Sequence, residues 1–314
     1  MSQSQINGFQ SQANSHTGAE FEEITIDVPW GYIAGKWWGS KTIQPVLAIH
    51  GWQDNAGTFD TLIPLVMDRN TSFLCIDLPG HGLSSQCPPG HHYSAWDFVL
   101  TVRRIVKRFK WNNIKILGHS MGAAIAFVYA AIFPNDVDGY VAIDMISSVP
   151  RETDENFDSI KLSLDRFLQY DGFNWENSMS YEYDDIVQLL MTVYSNSLTT
   201  ESAKILLKRG AKQTKDHRFQ FRRDACVIVD NMASYFTFNT ILTFSSRIKC
   251  DVMYIQAESG LMLHKSEQHD AIVESIRQSA RRFEHCTVPG THHVHLNNPE
   301  SVCNIIKSFW KTCR

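Results

Sequence analysis

Polar and apolar residues alternate through Glu23-Ile24-Thr25-Ile26-Asp27-Val28, the period-two pattern of a half-exposed strand. Pro29-Trp30-Gly31 punctuates a turn, and Tyr32 to Trp38 reads as the return strand of a hairpin. The pattern then changes. Val46 to His50 and Ser72 to Asp77 are short apolar runs that end at glycine-rich loops, as parallel strands buried on both faces do. Val99 to Phe109 carries apolar residues at helical spacing. Ile114 to Leu117 is a further short strand, Ala123 to Phe133 an apolar helix closed by Pro134, and Gly139 to Asp144 another strand. Strand alternating with helix predicts an α/β fold with a mostly parallel central sheet, flanking helices and right-handed crossovers.

The rhythm breaks after Ser148. Ile160 to Tyr170, Asp184 to Tyr194 and Glu201 to Arg209 look helical, and no buried strand is evident between them. Strands resume with Asp251 to Gln256 and Phe283 to Val288, and Val302 to Thr312 predicts a terminal helix. The predicted organisation is a tail over 1–20, a first part of the core over 21–148, a helical cap insertion over 149–239, and the rest of the core over 240–314. Met1 to Glu20 is rich in Ser, Gln and Asn and reads as disordered.

Composition narrows the function classes. A length of 314 residues suits one α/β core with an insertion. A net charge of −4 with mixed signs argues against a nucleic-acid partner, and the absence of a long apolar run argues against a transmembrane segment. Seven scattered cysteines without C-x-x-C, and no basic-then-apolar leader, point to a reducing, intracellular setting. Cytoplasm is the expectation; a peroxisomal protein would look alike, although Lys311-Thr312-Cys313-Arg314 is not a peroxisomal S-K-L tail.

Candidate chemistry lies in Gly118-His119-Ser120-Met121-Gly122, a G-x-S-x-G between a strand and a helix. This is the context of a nucleophile elbow, where the serine sits on a strained turn and glycines two residues away avoid collisions. A serine hydroxyl needs a general base. Val288 to Leu296, directly after the last predicted strand, offers His292, His293 and His295 at the sheet edge that Ser120 shares. Three histidines so close could instead ligate a metal, but no accompanying carboxylate or cysteine pattern completes such a site, so neither metal nor cofactor is expected. His91, His92, His264 and His269 read as surface residues. The His50-Gly51-Trp52 loop ends a parallel-type strand, which assigns the backbone N–H groups of Trp52 and Met121 to an oxyanion hole. Asp77 to Ser85 reads as structural support without chemistry.

These segments together resemble the α/β-hydrolase superfamily. More narrowly, Val28-Pro29-Trp30-Gly31, His50-Gly51-Trp52 with Asp54-Asn55, and Pro289-Gly290-Thr291-His292-His293-Val294-His295 resemble the animal serine hydrolase-like (Kraken) group. The resemblance implies His292 as the base, seven residues before Pro299, with His295 at a flanking position. It also exposes a departure. Many family members carry an Asp after the seventh strand, where this chain has Gly260. Asp144, ending the strand after the elbow helix, is then the better acid, and Glu258 the alternative. The reading is a serine hydrolase acting on an ester, thioester or related acyl substrate through an acyl-enzyme. A non-catalytic small-molecule-binding protein on the same scaffold is the alternative, favoured only by the unfilled Asp position.

Overall fold

The computed structural model describes residues 12–13, 20–151, 157–170, 178–229, 236–261 and 266–313. Its main sheet has nine strands: β1 (Gln12–Ala13), β2 (Glu20–Val28), β3 (Gly31–Trp38), β4 (Val46–Ile49), β5 (Phe73–Ile76), β6 (Ile114–His119), β7 (Val137–Ile143), β10 (Asp251–Ser259) and β11 (Arg282–Thr291). The spatial order is β1-β2-β3-β5-β4-β6-β7-β10-β11. The six strands from β5 across to β11 pair in parallel, and β1, β2 and β3 add an antiparallel edge. The α/β-hydrolase arrangement implied by the resemblance is the one observed. Most of the tail expected over 1–20 lies outside the described residues. Within it, Gln12–Ala13 pairs with Glu20 and Phe21, so that stretch is not wholly without structure.

Two apolar layers sandwich the sheet. On one side the helices Ala95–Phe109, Met121–Ile132, Phe238–Ser245 and Ser266–Ser279 pack over Leu47, Ile116 and Tyr140. On the other, Phe59, Ile63 and the C-terminal helix Glu300–Thr312 cover Ala48, Leu117 and Val141. Alternate residues of one strand supply opposite layers, which is why β4 and β6 are apolar without interruption. Helix Ala95–Phe109 begins four residues before its apolar spacing becomes evident, because Ser94 and Asp97 form a reciprocal capping box.

The block after Ser148 contains helices Phe157–Leu168, Tyr183–Val193 and Thr200–Gly210, close to the expected spans. It also contains a hairpin the apolar pattern did not show, β8 (Ala211–Gln213) with β9 (Phe219–Phe221). Its strands are three residues long and bury little, so they carry no period-two signal. A separate apolar cluster centred on Ile186, Leu190, Leu206 and Leu207 holds this block together and meets the core at Leu296.

Candidate active site

The chain runs from β4 to β5 on one side of it, then returns to place β6 on the other. A crevice opens at the strand C-termini wherever the order reverses like this. The loops leaving β4 and β6 flank that crevice, and they carry Trp52 and Ser120. Ser120 has φ 52° and ψ −121°, and its N–H donates to the Ile143 carbonyl at 3.0 Å. The elbow glycines are sterically required. A Cβ at Gly118 would lie 2.5 Å from the Ala123 backbone, and one at Gly122 would lie 2.0 Å from the Ile49 carbonyl oxygen. The strained serine is held by backbone packing that no larger residue permits.

His292 follows β11 and is buried. Its Nδ1 lies 2.6 Å from Oδ2 of Asp144, which directly follows β7 with φ 56°. Asp144 is saturated with donors: Ala257 N–H reaches Oδ1 at 2.8 Å and Leu261 N–H reaches Oδ2 at 3.0 Å. Ala257 lies near the end of β10 and Leu261 just beyond it, where the resemblance implies an acid. Gly260 explains the exchange. A Cβ at 260 would sit 2.1 Å from Asp144 Oδ1, so the absent side chain is the space that the Asp144 carboxylate fills. Glu258 is exposed, and the carboxylate that His292 Nδ1 meets is that of Asp144. The fold thus brings Ser120, Asp144 and His292 to one edge and leaves Glu258 outside. Two signals of this stand in the sequence: the bare glycine, and an aspartate at the end of the strand after the elbow helix.

The nitrogens assigned to the oxyanion hole are available. Neither the Trp52 nor the Met121 N–H makes a hydrogen bond among the described residues, and Met121 opens the helix behind the elbow. The Trp52 indole, half out of the surface, donates from Nε1 to the Val227 carbonyl at 2.8 Å and so ties the β4 loop to the inserted block. Beside it lies a cavity of about 390 Å³ that Ser120 lines together with Phe98, Ile125, Met145, Val227, Phe236 and Leu261.

Behind the elbow the histidines crowd together. The His119 ring lies 4.6 Å from that of His292, 5.0 Å from His293 and 4.1 Å from His295. Burial holds His119 and His293 well below the usual histidine range and brings His295 down to about 3, so these three rings are neutral near pH 7. His295 Nε2 meets the Thr58 hydroxyl at 2.9 Å and serves packing. Asp54, also buried, is pushed up to about 7 by desolvation. Asp54, His119 and His293 bring one metal-ligand atom each to within 4.8 Å of one another. Of the histidines expected at the surface, His91, His92 and His269 are half-buried, with His92 edge-on to Phe167 at 4.2 Å, and His264 lies outside the described residues.

The family model for the alpha/beta hydrolase fold matches residues 44–299. The chain belongs to the α/β-hydrolase family. It is 38% identical over 293 residues to the "Probable serine hydrolase" of Drosophila melanogaster, covering 93% of this chain and 88% of that protein. It is 36% identical to the "Serine hydrolase-like protein" of Danio rerio, covering 91% of this chain and 87% of the relative. Among solved structures, a hypothetical protein of Pseudomonas aeruginosa PAO1 superposes with a TM-score of 0.79 at 25% identity, covering 92% of this chain and 97% of that one. The thioesterase domain from the curacin biosynthetic pathway gives 0.76 at 20% identity, covering 92% and 99%, which speaks to the fold alone. No helix of the described residues is long and apolar enough to cross a membrane.

Proposed function

We propose that this protein is a serine hydrolase that transfers an acyl group from an ester, thioester or related substrate to water. The observation that carries the reading is the 2.6 Å bond between His292 Nδ1 and Asp144 Oδ2, made at the sheet edge where Ser120 occupies a strained elbow. With Nδ1–H held by the carboxylate, Nε2 is the nitrogen left to act as base. Ser120 Oγ attacks the acyl carbon while His292 Nε2 takes its proton. The N–H groups of Trp52 and Met121 donate to the oxygen that becomes negative. His292 returns the proton to the departing alcohol or thiol, and water then repeats the sequence on the acyl-enzyme, regenerating Ser120 and releasing the acid.

The cavity supports an apolar acyl portion. At roughly 30 Å³ for a water-sized group, 390 Å³ accommodates about a dozen non-hydrogen atoms. Medium-length acyl chains are therefore the reading, with the inserted block contributing Val227 and Phe236 to the wall. The alternative of a non-catalytic binding protein rested on the missing acid at 260, and the seating of Asp144 there removes that reason. A fluorophosphonate probe tests the proposal. Wild-type protein is expected to label at Ser120 and Ser120→Ala not at all. Equal labelling of the two, or none of the wild type, contradicts it.

A further inference from the structure

The mechanism above leaves unused a buried constellation directly behind the elbow. His119 Nε2 lies 2.9 Å from the backbone carbonyl of His292. A carbonyl only accepts, so Nε2 carries the hydrogen and Nδ1 presents a bare lone pair. That lone pair faces Asp54 Oδ2 at 4.0 Å. Both atoms are buried, and neither has a hydrogen-bond partner among the described residues. With Asp54 ionised, two acceptors face each other away from water, which is costly, and a positive centre between them removes the cost. Gly51 keeps the space open, since a Cβ there would lie 3.1 Å from His119 Nδ1.

We propose that Asp54, His119 and His293 form a binding site for a divalent transition metal of the Zn²⁺ type, and that its occupation slows acyl transfer. The three offer two imidazoles and a carboxylate, the ligand set of many three-ligand zinc sites, with a fourth position for water. Hard cations such as Mg²⁺ prefer all-oxygen shells and are disfavoured here. Bonds of about 2.0–2.1 Å to a tetrahedral ion require the 4.0 Å separation to close by roughly 0.6 Å, and a pair at the 4.8 Å limit of the group by roughly 1.4 Å. The outer contacts are those that metal-ligating histidines use: His119 donates to the His292 carbonyl, and one ring nitrogen of His293 meets Ser197 Oγ at 2.5 Å, leaving the other for a ligand. Asp54 is oriented by the Asn55 N–H on Oδ1 at 2.8 Å. The sequence hid this site because its carboxylate lies far from the histidines along the chain.

The slowing follows from geometry and rests on the hydrolase reading. Gathering the ligands around an ion draws His119 and His293 inward, and these two hold His292 from both sides: His119 donates to its backbone carbonyl and His293 is the next residue in the chain. The shift moves His292 from the position in which Asp144 Oδ2 holds it at 2.6 Å, and a misplaced base slows acyl transfer.

The test uses the whole, chelator-treated chain and Co²⁺ or Zn²⁺ alone. One Co²⁺ is expected to bind per chain with tetrahedral d–d bands and no thiolate charge-transfer band. Asp54→Asn and His293→Gln are expected to weaken Zn²⁺ binding at least 100-fold, and His292→Gln to leave it unchanged. Should those two variants fail to fold, Ser197→Ala, which removes only the outer partner, is expected to weaken it about 10-fold. Bound Zn²⁺ should slow fluorophosphonate labelling at least 10-fold, reversed by chelator. No binding, undiminished binding by Asp54→Asn, or binding lost in His292→Gln overturns the site. Binding without slowing overturns the inhibitory role. A protein that binds metal but never labels would instead contradict the hydrolase reading and leave the site standing.

Discussion

The ends of β5 and β7 carry the same local sequence, an isoleucine followed by an aspartate: Ile76-Asp77 and Ile143-Asp144. Both aspartates are buried, both accept two backbone N–H groups, and each sits against a glycine whose Cβ would collide with it. Gly82 leaves room for Asp77, with a Cβ distance of 2.3 Å to its Oδ2, as Gly260 does for Asp144 at 2.1 Å. They differ in the remaining partner. Asp77 accepts from Nε of Arg209 at 2.7 Å, a residue of the inserted block that also pairs with Glu23. Asp144 meets His292, which can move a proton where Arg209 cannot. One strand-end device therefore serves as a clamp between core and insertion at β5, and as the orienting acid of the proposed triad at β7.

Breaking the clamp should cost stability rather than chemistry. Arg209→Leu leaves Asp77 as a buried charge without its ion-pair partner, and a loss of about 3–5 kcal/mol is expected by urea denaturation. Moving the glycines separates the two ends. Gly260→Ala forces the Asp144 carboxylate aside, and a fall of roughly 10²-fold in labelling rate is expected from the misplaced His292. Gly82→Ala instead meets a φ of +52° as well as Asp77, and should lower stability by roughly 2–3 kcal/mol. If either glycine change produces the other's phenotype, the division of labour is wrong.

Acid should cost stability through the histidines buried in neutral form. Burial brings His50 to about 4 and His81 to about 3, below the ordinary 6.5. Between about pH 6.5 and 4 the unfolded chain therefore binds more protons than the native one, and stability falls as pH falls. Each such proton is worth roughly 1.4 kcal/mol per pH unit at full slope. Asp54, raised to about 7, acts in the opposite sense over about pH 4–7, offsetting one of them. A urea midpoint that is level from pH 7 to 5 would contradict the neutral burial of these histidines. His119, His293 and His295 are depressed in the same direction and add to the trend.

Much of this architecture is legible in the chain itself. Parallel strands buried on both faces announce themselves as uninterrupted apolar runs, and the elbow is a local motif whose glycines answer to local collisions. The β8–β9 hairpin and helix Ser266–Ser279 escaped notice because short or weakly apolar elements are decided by tertiary contacts. The acid was harder for a different reason. Whether Asp144 or Glu258 faces His292 depends on the fit of one strand end against another, 113 residues apart at the Ala257–Asp144 bond. The missing side chain at 260 reads as a defect along the chain and as a seat in three dimensions.

The central claim is that Asp144 orients His292. Comparing the fluorophosphonate labelling rates of Asp144→Asn and Glu258→Gln tests it most directly, with unfolding midpoints measured on the same samples. A loss of about 10⁴-fold is expected for Asp144→Asn, as in serine-protease triads that lose tautomer control, with the protein still folded. Glu258→Gln should label within about twofold of wild type, as surface changes with no partner do. Wild-type labelling by a folded Asp144→Asn, or an equal loss in Glu258→Gln, would contradict the account.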